Sequence, residues 1–215
     1  MSISIAIKKV QRNLNDYGIG ETLRKAFSTL AGSVYLERIY RIYRRDLRSA
    51  QPAEEAPPGI ELRVIGVDDA QAIRDIETME EWLQGGVRDR LGRGLCVAAF
   101  DGSRVAGFNI VAFREIFVPL LNVTRQLRPD QAWSEQITVA KDYRKHGLAS
   151  VLRYRVFSEL RQRGFRALYG GALISNIASL KSAQKVGFQF LADVRYRKVL
   201  GREQRTYRRI DHGGH

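Results

Sequence analysis

Cysteine is nearly missing from this chain of 215 residues: there is one, Cys96 in "LCVAAF", so no disulfide can close within it. Its apolar neighbours predict a small core residue on a strand rather than a reactive thiol. Long apolar runs are also missing, which excludes a helical membrane span read from the sequence. The opening "MSISIAIKK" sets a short apolar stretch ahead of its lysines, the reverse of a secretory leader. Cytoplasmic residence is therefore expected, with contact at the inner face of the membrane as a variant. Histidine is scarce, and His212 and His215 fall in a polar tail without a ligand set, so no metal is expected. Acidic residues are outnumbered, 23 against 36 Lys and Arg, for a net charge of +13. Such a balance favours acidic partners: anionic lipid, an acidic carrier protein, a phosphorylated cofactor or nucleic acid. No recognised motif supports the last of these.

What is present is enough apolar material, 44% of residues, to build a core. Residues 16–47 read as helical, because Leu23, Phe27, Leu30, Val34 and Tyr35 recur at steps of three and four. This gives a basic helical extension over 1–50. Its "YLERIYRIYRRDL" interleaves Tyr and Ile with Arg, which suits a membrane surface or a carrier protein. The alternatives are packing on the main domain or on a second subunit, as in a homodimer. "QPAEEAPPG" at 51–59 marks a linker. Over 60–200 the pattern runs strand, helix, helix, hairpin, strand, helix, strand, helix, strand, which is α/β with a mixed sheet. Asp68 or Asp69 is placed to cap the first helix, Asp101-Gly102 to turn the hairpin and Gly187 to end the last helix. "FVPLLNVTRQLRPDQ" reads as a loop because of its prolines, and 201–215 as a polar basic tail.

The stretch "DYRKHGLAS" (142–150) joins a strand to an amphipathic helix. A helix N-terminus has amides without intrahelical partners and the positive end of the macrodipole, so a phosphate suits it. Gly147 allows close approach, Ala149 keeps the first turn uncrowded, and Arg144, Lys145 and His146 add positive charge. A diphosphate could be held by main-chain donors in a nest. On spacing alone, an ordinary turn with exposed cations is an equal alternative.

The context carries more. Val139 to Ala149, V-x-x-x-x-R-x-x-G-x-A, resembles the acyl-CoA signature of the GNAT acyltransferase superfamily. Downstream, "NIASLKSAQKVGF" (176–188) resembles that superfamily's second motif. The resemblance implies a GNAT-like mixed central sheet flanked by helices and acetyl-CoA as cosubstrate. It implies a strand that splays from its neighbour, where the backbone of Ile137 and Val139 pairs with pantetheine. It places the diphosphate on the loop from Arg144 through Lys145, His146, Gly147, Leu148 and Ala149 to Ser150. Asn176 and Ser179 follow as contacts to the cofactor arm. Lys185 is equally well read as a solvated helix residue.

The implied activity is acetyl transfer to a small-molecule or peptide amine by direct attack within a ternary complex. Val139 N–H is the expected oxyanion donor. Glu135, four residues before Val139 and so expected on the same strand face, is the candidate base. The family's usual acid, a Tyr four residues before the second motif's Gly, is here Ala183. The acid is then absent, relocated or unnecessary; Tyr143 and Tyr169 do not match the motif position. A CoA-binding module without turnover is the competing class. Overall charge favours a phosphorylated acceptor such as a sugar nucleotide.

Overall fold

A computed structural model describes residues 35–49 and 55–210. The described residues divide into two compact units, one of 40–49, 55–194 and 208–210, the other of 35–39 and 195–207.

The larger unit is built on a mixed sheet. Its strands lie in the order β9 (Gln189–Val199, of which 189–194 belong to this unit), β1 (Tyr35–Asp46, of which 40–46 belong to it), β8 (Ala167–Leu173), β7 (Gln131–Val139), β4 (Arg104–Phe113), β3 (Gly94–Asp101), β2 (Ile60–Ile65). β7 and β8 run parallel, whereas β1–β8, β2–β3, β3–β4 and β4–β7 are antiparallel. One face is covered by α1 (Ala70–Met79) and α2 (Val87–Gly92), whose Ile73, Ile76 and Val87 pack with Phe108 and Ile110. The other face carries α3 (Leu148–Gln162) and α4 (Ile177–Lys185). Leu148, Val151, Leu152, Val156 and Leu160, the apolar stripe expected from the sequence, are all buried there. Phe157 is fully buried on the same helix. Cys96 is buried on β3, and burial pushes its thiol well above the usual range, so it is a core residue. No helix among the described residues is long and apolar enough to cross a membrane.

Three local expectations change. The helix expected over 16–47 is a strand in its described part, since Tyr35–Asp46 is β1; residues 16–34 lie outside the described residues. Its buried residues Tyr40, Tyr43 and Leu47 are spaced like a helical stripe. Tyr40 and Tyr43 are so because a strand inside a sheet is covered on both faces and loses its alternation, and Leu47 lies just past the strand's end. The loop expected over 117–131 belongs largely to a short hairpin, β5 (Glu115–Val118) with β6 (Val123–Gln126), and Pro119 sits outside both strands. Asp69 precedes α1 but does not bond a helix amide; its carboxylate accepts from Gly66 N–H at 2.7 Å. The β3–β4 turn forms where Asp101-Gly102 predicts it, and α4 ends at Gly187 as expected.

In the smaller unit, Glu37 accepts from Arg197 and pairs with Arg195, each at 3.3 Å. The end of β9 turns through Leu200-Gly201 into β10 (Arg202–Arg209), so the polar basic stretch after 200 begins as a strand.

Candidate active site

Strand β7 ends at Val139, and the chain makes a 3-10 turn (Lys141–Tyr143) before Gly147 begins α3. Gly147 has φ 80° and Lys145 φ 70°, the left-handed region that favours glycine. As an N-cap, Gly147 has no side chain to serve the first-turn amides. Ser150 N–H and Val151 N–H turn back to its carbonyl, at 2.8 and 3.2 Å. Among the described residues, the N–H groups of Lys145 to Ala149 donate to no backbone acceptor. A Cβ at Gly147 would meet nothing within 4 Å. The open space in front is a cavity of about 360 Å³.

Arg144, Lys145, Gly147, Leu148, Ala149 and Ser150 line that cavity, and Val139 closes its strand side. His146 is exposed and does not line it. Lys181, Ser182 and Lys185 of α4 form the opposite wall, so Lys185 faces the loop rather than only solvent. No carboxylate lines it among the described residues. Arg144 Nε donates to Val139 O at 3.0 Å, tying the loop to the strand end. Unengaged amides, a helix N-terminus and cations without a nearby anion fit a diphosphate. The Tyr143 hydroxyl is held by Asp101 at 2.6 Å, and Tyr169 accepts from Gln131.

The next feature is a fork. β7 and β8 pair from Gln131–Ala167 only to Trp133–Tyr169. Beyond that point β7 runs on beside β4 and leaves β8. Ala140 N–H bonds Ala106 O on the β4 side. Strand backbone alternates, so the N–H groups of Val139 and Ile137 face the fork. The fork opens into a cleft of about 520 Å³, lined among others by Ser134, Glu135, Gln136, Ile137, Asn176 and Ser179. Asn176 Oδ1 caps α4 by accepting from Ser179 N–H at 3.1 Å.

Glu135 corrects an expectation. Ile110 stands opposite Gln136 and Val111 opposite Ser134, so Glu135 is an extra residue, a β-bulge. The bulge breaks the alternation. Ile137 and Val139 pack toward the α3 side, whereas Glu135 accepts from Arg90 Nε of α2 at 3.0 Å. It therefore borders the cleft from the opposite face. Arg90 also lies 5.3 Å from the ring of Trp82, which is half exposed. Trp82 Nε1 donates to Glu80, which accepts also from Thr138 at 2.6 Å and Gln136 at 3.2 Å. This network fixes that wall of the cleft.

The residues that no motif reveals come from β1. Tyr40 and Tyr43 both line the cleft. They fit because β8 has no side chain beneath them: a Cβ at Gly170 would come within 2.6 Å of the Tyr43 ring, and one at Gly171 within 2.1 Å of Tyr40. The Gly170-Gly171 pair in a strand is the available sequence signal of such an approach. Tyr43 lies in the same buried cluster as Ala183, Phe157 and Phe188. A side-chain hydrogen bond links Tyr43 to Ser179, and the charge of Arg153 acts on it. Arg153 is only 2% exposed and donates to Ser182 Oγ at 2.5 Å. Burial dominates and raises the Tyr43 phenol above its ordinary value. Among the described residues no group of His, Cys, Asp and Glu is placed to hold a metal; His212 and His215 lie outside them.

The family model described as Acetyltransferase (GNAT) family matches residues 36–188, beginning within β1 rather than after the 51–59 linker. A search of curated proteins by sequence gives no match. Among solved structures, a GCN5-related N-acetyltransferase from Sphaerobacter thermophilus is similar with a TM-score of 0.57 at 20% identity, covering 81% of this chain and 56% of that one. A tandem GNAT protein from the clavulanic acid biosynthesis pathway is similar at 0.55 and 19%, covering 84% of this chain and 59% of that one. The chain thus spans little more than half the length of either, and at these identities the likeness shows the fold. With the loop, the fork and a family match across most of its described length, the chain belongs to the GNAT acetyltransferase family.

Proposed function

We propose that the protein transfers an acetyl group from acetyl-CoA to an amine by direct attack, with both substrates held at once. The carrying observation is the parting of β7 and β8 after Trp133–Tyr169, beside a cradle of unengaged amides. The amides from Lys145 to Ala149, backed by Lys145, Lys181 and Lys185, hold the CoA diphosphate. The N–H groups of Ile137 and Val139 pair with the pantetheine arm or the thioester carbonyl, where Val139 N–H supports developing negative charge. Asn176 and Ser179 flank the arm.

An ammonium acceptor must lose one proton before its lone pair can attack. Glu135, oriented by Arg90, takes that proton through a water. As the C–N bond forms and the C–S bond breaks, the leaving sulfur gains an electron pair. Tyr43 is the relocated acid: its phenol gives a proton to that sulfur and is recharged, through solvent, by the second proton that the attacking nitrogen sheds as the amide forms. A phenol carries its proton through the neutral range, and burial here keeps it protonated further up.

The cleft also speaks to the acceptor. Tyr40, Trp82, Val118, Pro119 and Leu120 form walls, and no Lys or Arg lines it among the described residues. A neutral or cationic amine on a ring or apolar body suits this surface better than the phosphorylated acceptor favoured by overall charge. The test is thiol release from acetyl-CoA against a panel of amino sugars, arylalkyl amines and phosphorylated amino sugars. Turnover confined to the phosphorylated group would overturn the acceptor reading.

A second reading, a CoA-binding module without turnover, draws on Ala183 at the phenol position of the motif. Tight acetyl-CoA binding with no thiol release on any amine would establish it instead.

A further inference from the structure

The β9–β10 turn breaks two rules at once. Leu200 has φ 48° and Gly201 φ 81°, so both central residues are in the left-handed region. Such two-residue turns favour Asn-Gly or Asp-Gly, because a branched aliphatic side chain is strained at the first position. Leu200 is also 76% exposed, and Val199 beside it 42%. Neither turn chemistry nor water explains an aliphatic pair at this tip.

The surroundings are cationic. Within 195–207 stand Arg195, Arg197, Lys198, Arg202 and Arg205 against one carboxylate, Glu203. Arg195 and Arg197 pair with Glu37, and Arg205 with Glu203. Lys198 and Arg202, which bracket the tip, form no ion pair among the described residues. An aliphatic point inside a basic collar matches an anionic bilayer: the tip enters the acyl boundary while the collar meets headgroup phosphates. Nucleic acid would meet the collar's charge but leaves the aliphatic pair in water.

We infer that the β9–β10 hairpin is a membrane-surface contact, with Val199 and Leu200 as its inserting tip and Lys198 and Arg202 as its anchors to anionic lipid. This does not depend on the acetyl-transfer reading.

The test uses the full chain and vesicles of phosphatidylcholine, alone or with about one-third phosphatidylglycerol. Leu200→Cys takes a polarity-sensitive fluorophore selectively, since the native Cys96 is fully buried. The label shifts to the blue with anionic vesicles and not with neutral ones. Leu200→Asn supplies the preferred turn residue, so it unfolds at the same or a higher temperature yet binds anionic vesicles about fivefold more weakly. Lys198→Glu with Arg202→Glu weakens binding by about tenfold or more. The inference is overturned if the chain does not bind anionic vesicles. It is equally overturned if the chain binds while the label stays unshifted, or if an oligonucleotide, rather than vesicles, moves the label.

Discussion

The loop before α3 and the cleft at the fork are neighbours along β7, yet they are made differently. The loop is one continuous stretch whose proposed ligand is held by main chain, and its specification is local: a Gly at φ 80°, small residues after it, cations around it. The cleft is assembled from β1, the turn holding Trp82, the segment around Pro119, β7, β8 and α4, and its proposed chemistry rests on side chains. On the proposed reading, binding of the shared cosubstrate is written in a few adjacent residues, whereas acceptor choice draws on several elements far apart in the chain.

Substitutions at four positions sharpen or break that contrast. Gly147→Glu is expected to weaken CoA binding by more than about a hundredfold, by placing a negative charge in the cradle. Gly147→Ala, which adds similar backbone strain without charge, should stay within a few-fold; titration calorimetry separates the two. If both lose binding equally, the cradle is a matter of backbone conformation alone. Tyr43→Phe is expected to lower kcat by about a hundredfold with CoA affinity unchanged, the size of a lost general acid. An unchanged kcat would remove Tyr43 from the chemistry and leave the thiolate to depart unprotonated. Glu135→Gln should lower kcat/KM by about tenfold near neutral pH, with the deficit closing at higher pH as the amine loses its proton unaided. A pH-independent deficit would instead mark Glu135 as a holder of Arg90. Gly171→Ala should leave the loop's CoA affinity intact while costing about 1–3 kcal/mol of stability, since the new methyl collides with Tyr40 and the Arg41 carbonyl. Thermal unfolding reads this, and a stability equal to the parent would show that β1 yields freely.

Much of the fold is legible in the sequence. α3 and α4 carry an apolar stripe and a terminal glycine, and the β3–β4 turn carries its Asp-Gly. These signals are local, so they survive without tertiary context. β1 is not legible, because burial on both faces spaces Tyr40 and Tyr43 as a helix would, and Leu47 just past its end extends the pattern. The β5–β6 hairpin is hidden by Pro119 and by a largely exposed β6. The same divide runs through the site. The loop residues follow from their motif, with His146 the one that turns away. Glu135 is expected on a face it does not share, because a single-residue bulge is silent in sequence and reverses everything beyond it. Tyr43 and Arg153 emerge only on asking what fills the space over Gly170 and beside Ala183.

The place of β1 bears on how the molecule is made. This strand leaves the ribosome long before its neighbours β8 and β9, which follow it at great distance along the chain. Until they are synthesised, β1 has no mate, and afterwards β8 offers a bare edge until β1 arrives. Proteolysis or an alternative start that removes everything before Ile60 would therefore delete not an appendage but a middle plank of the sheet. The short piece would expose two sticky borders and gather into aggregates instead of yielding a smaller enzyme.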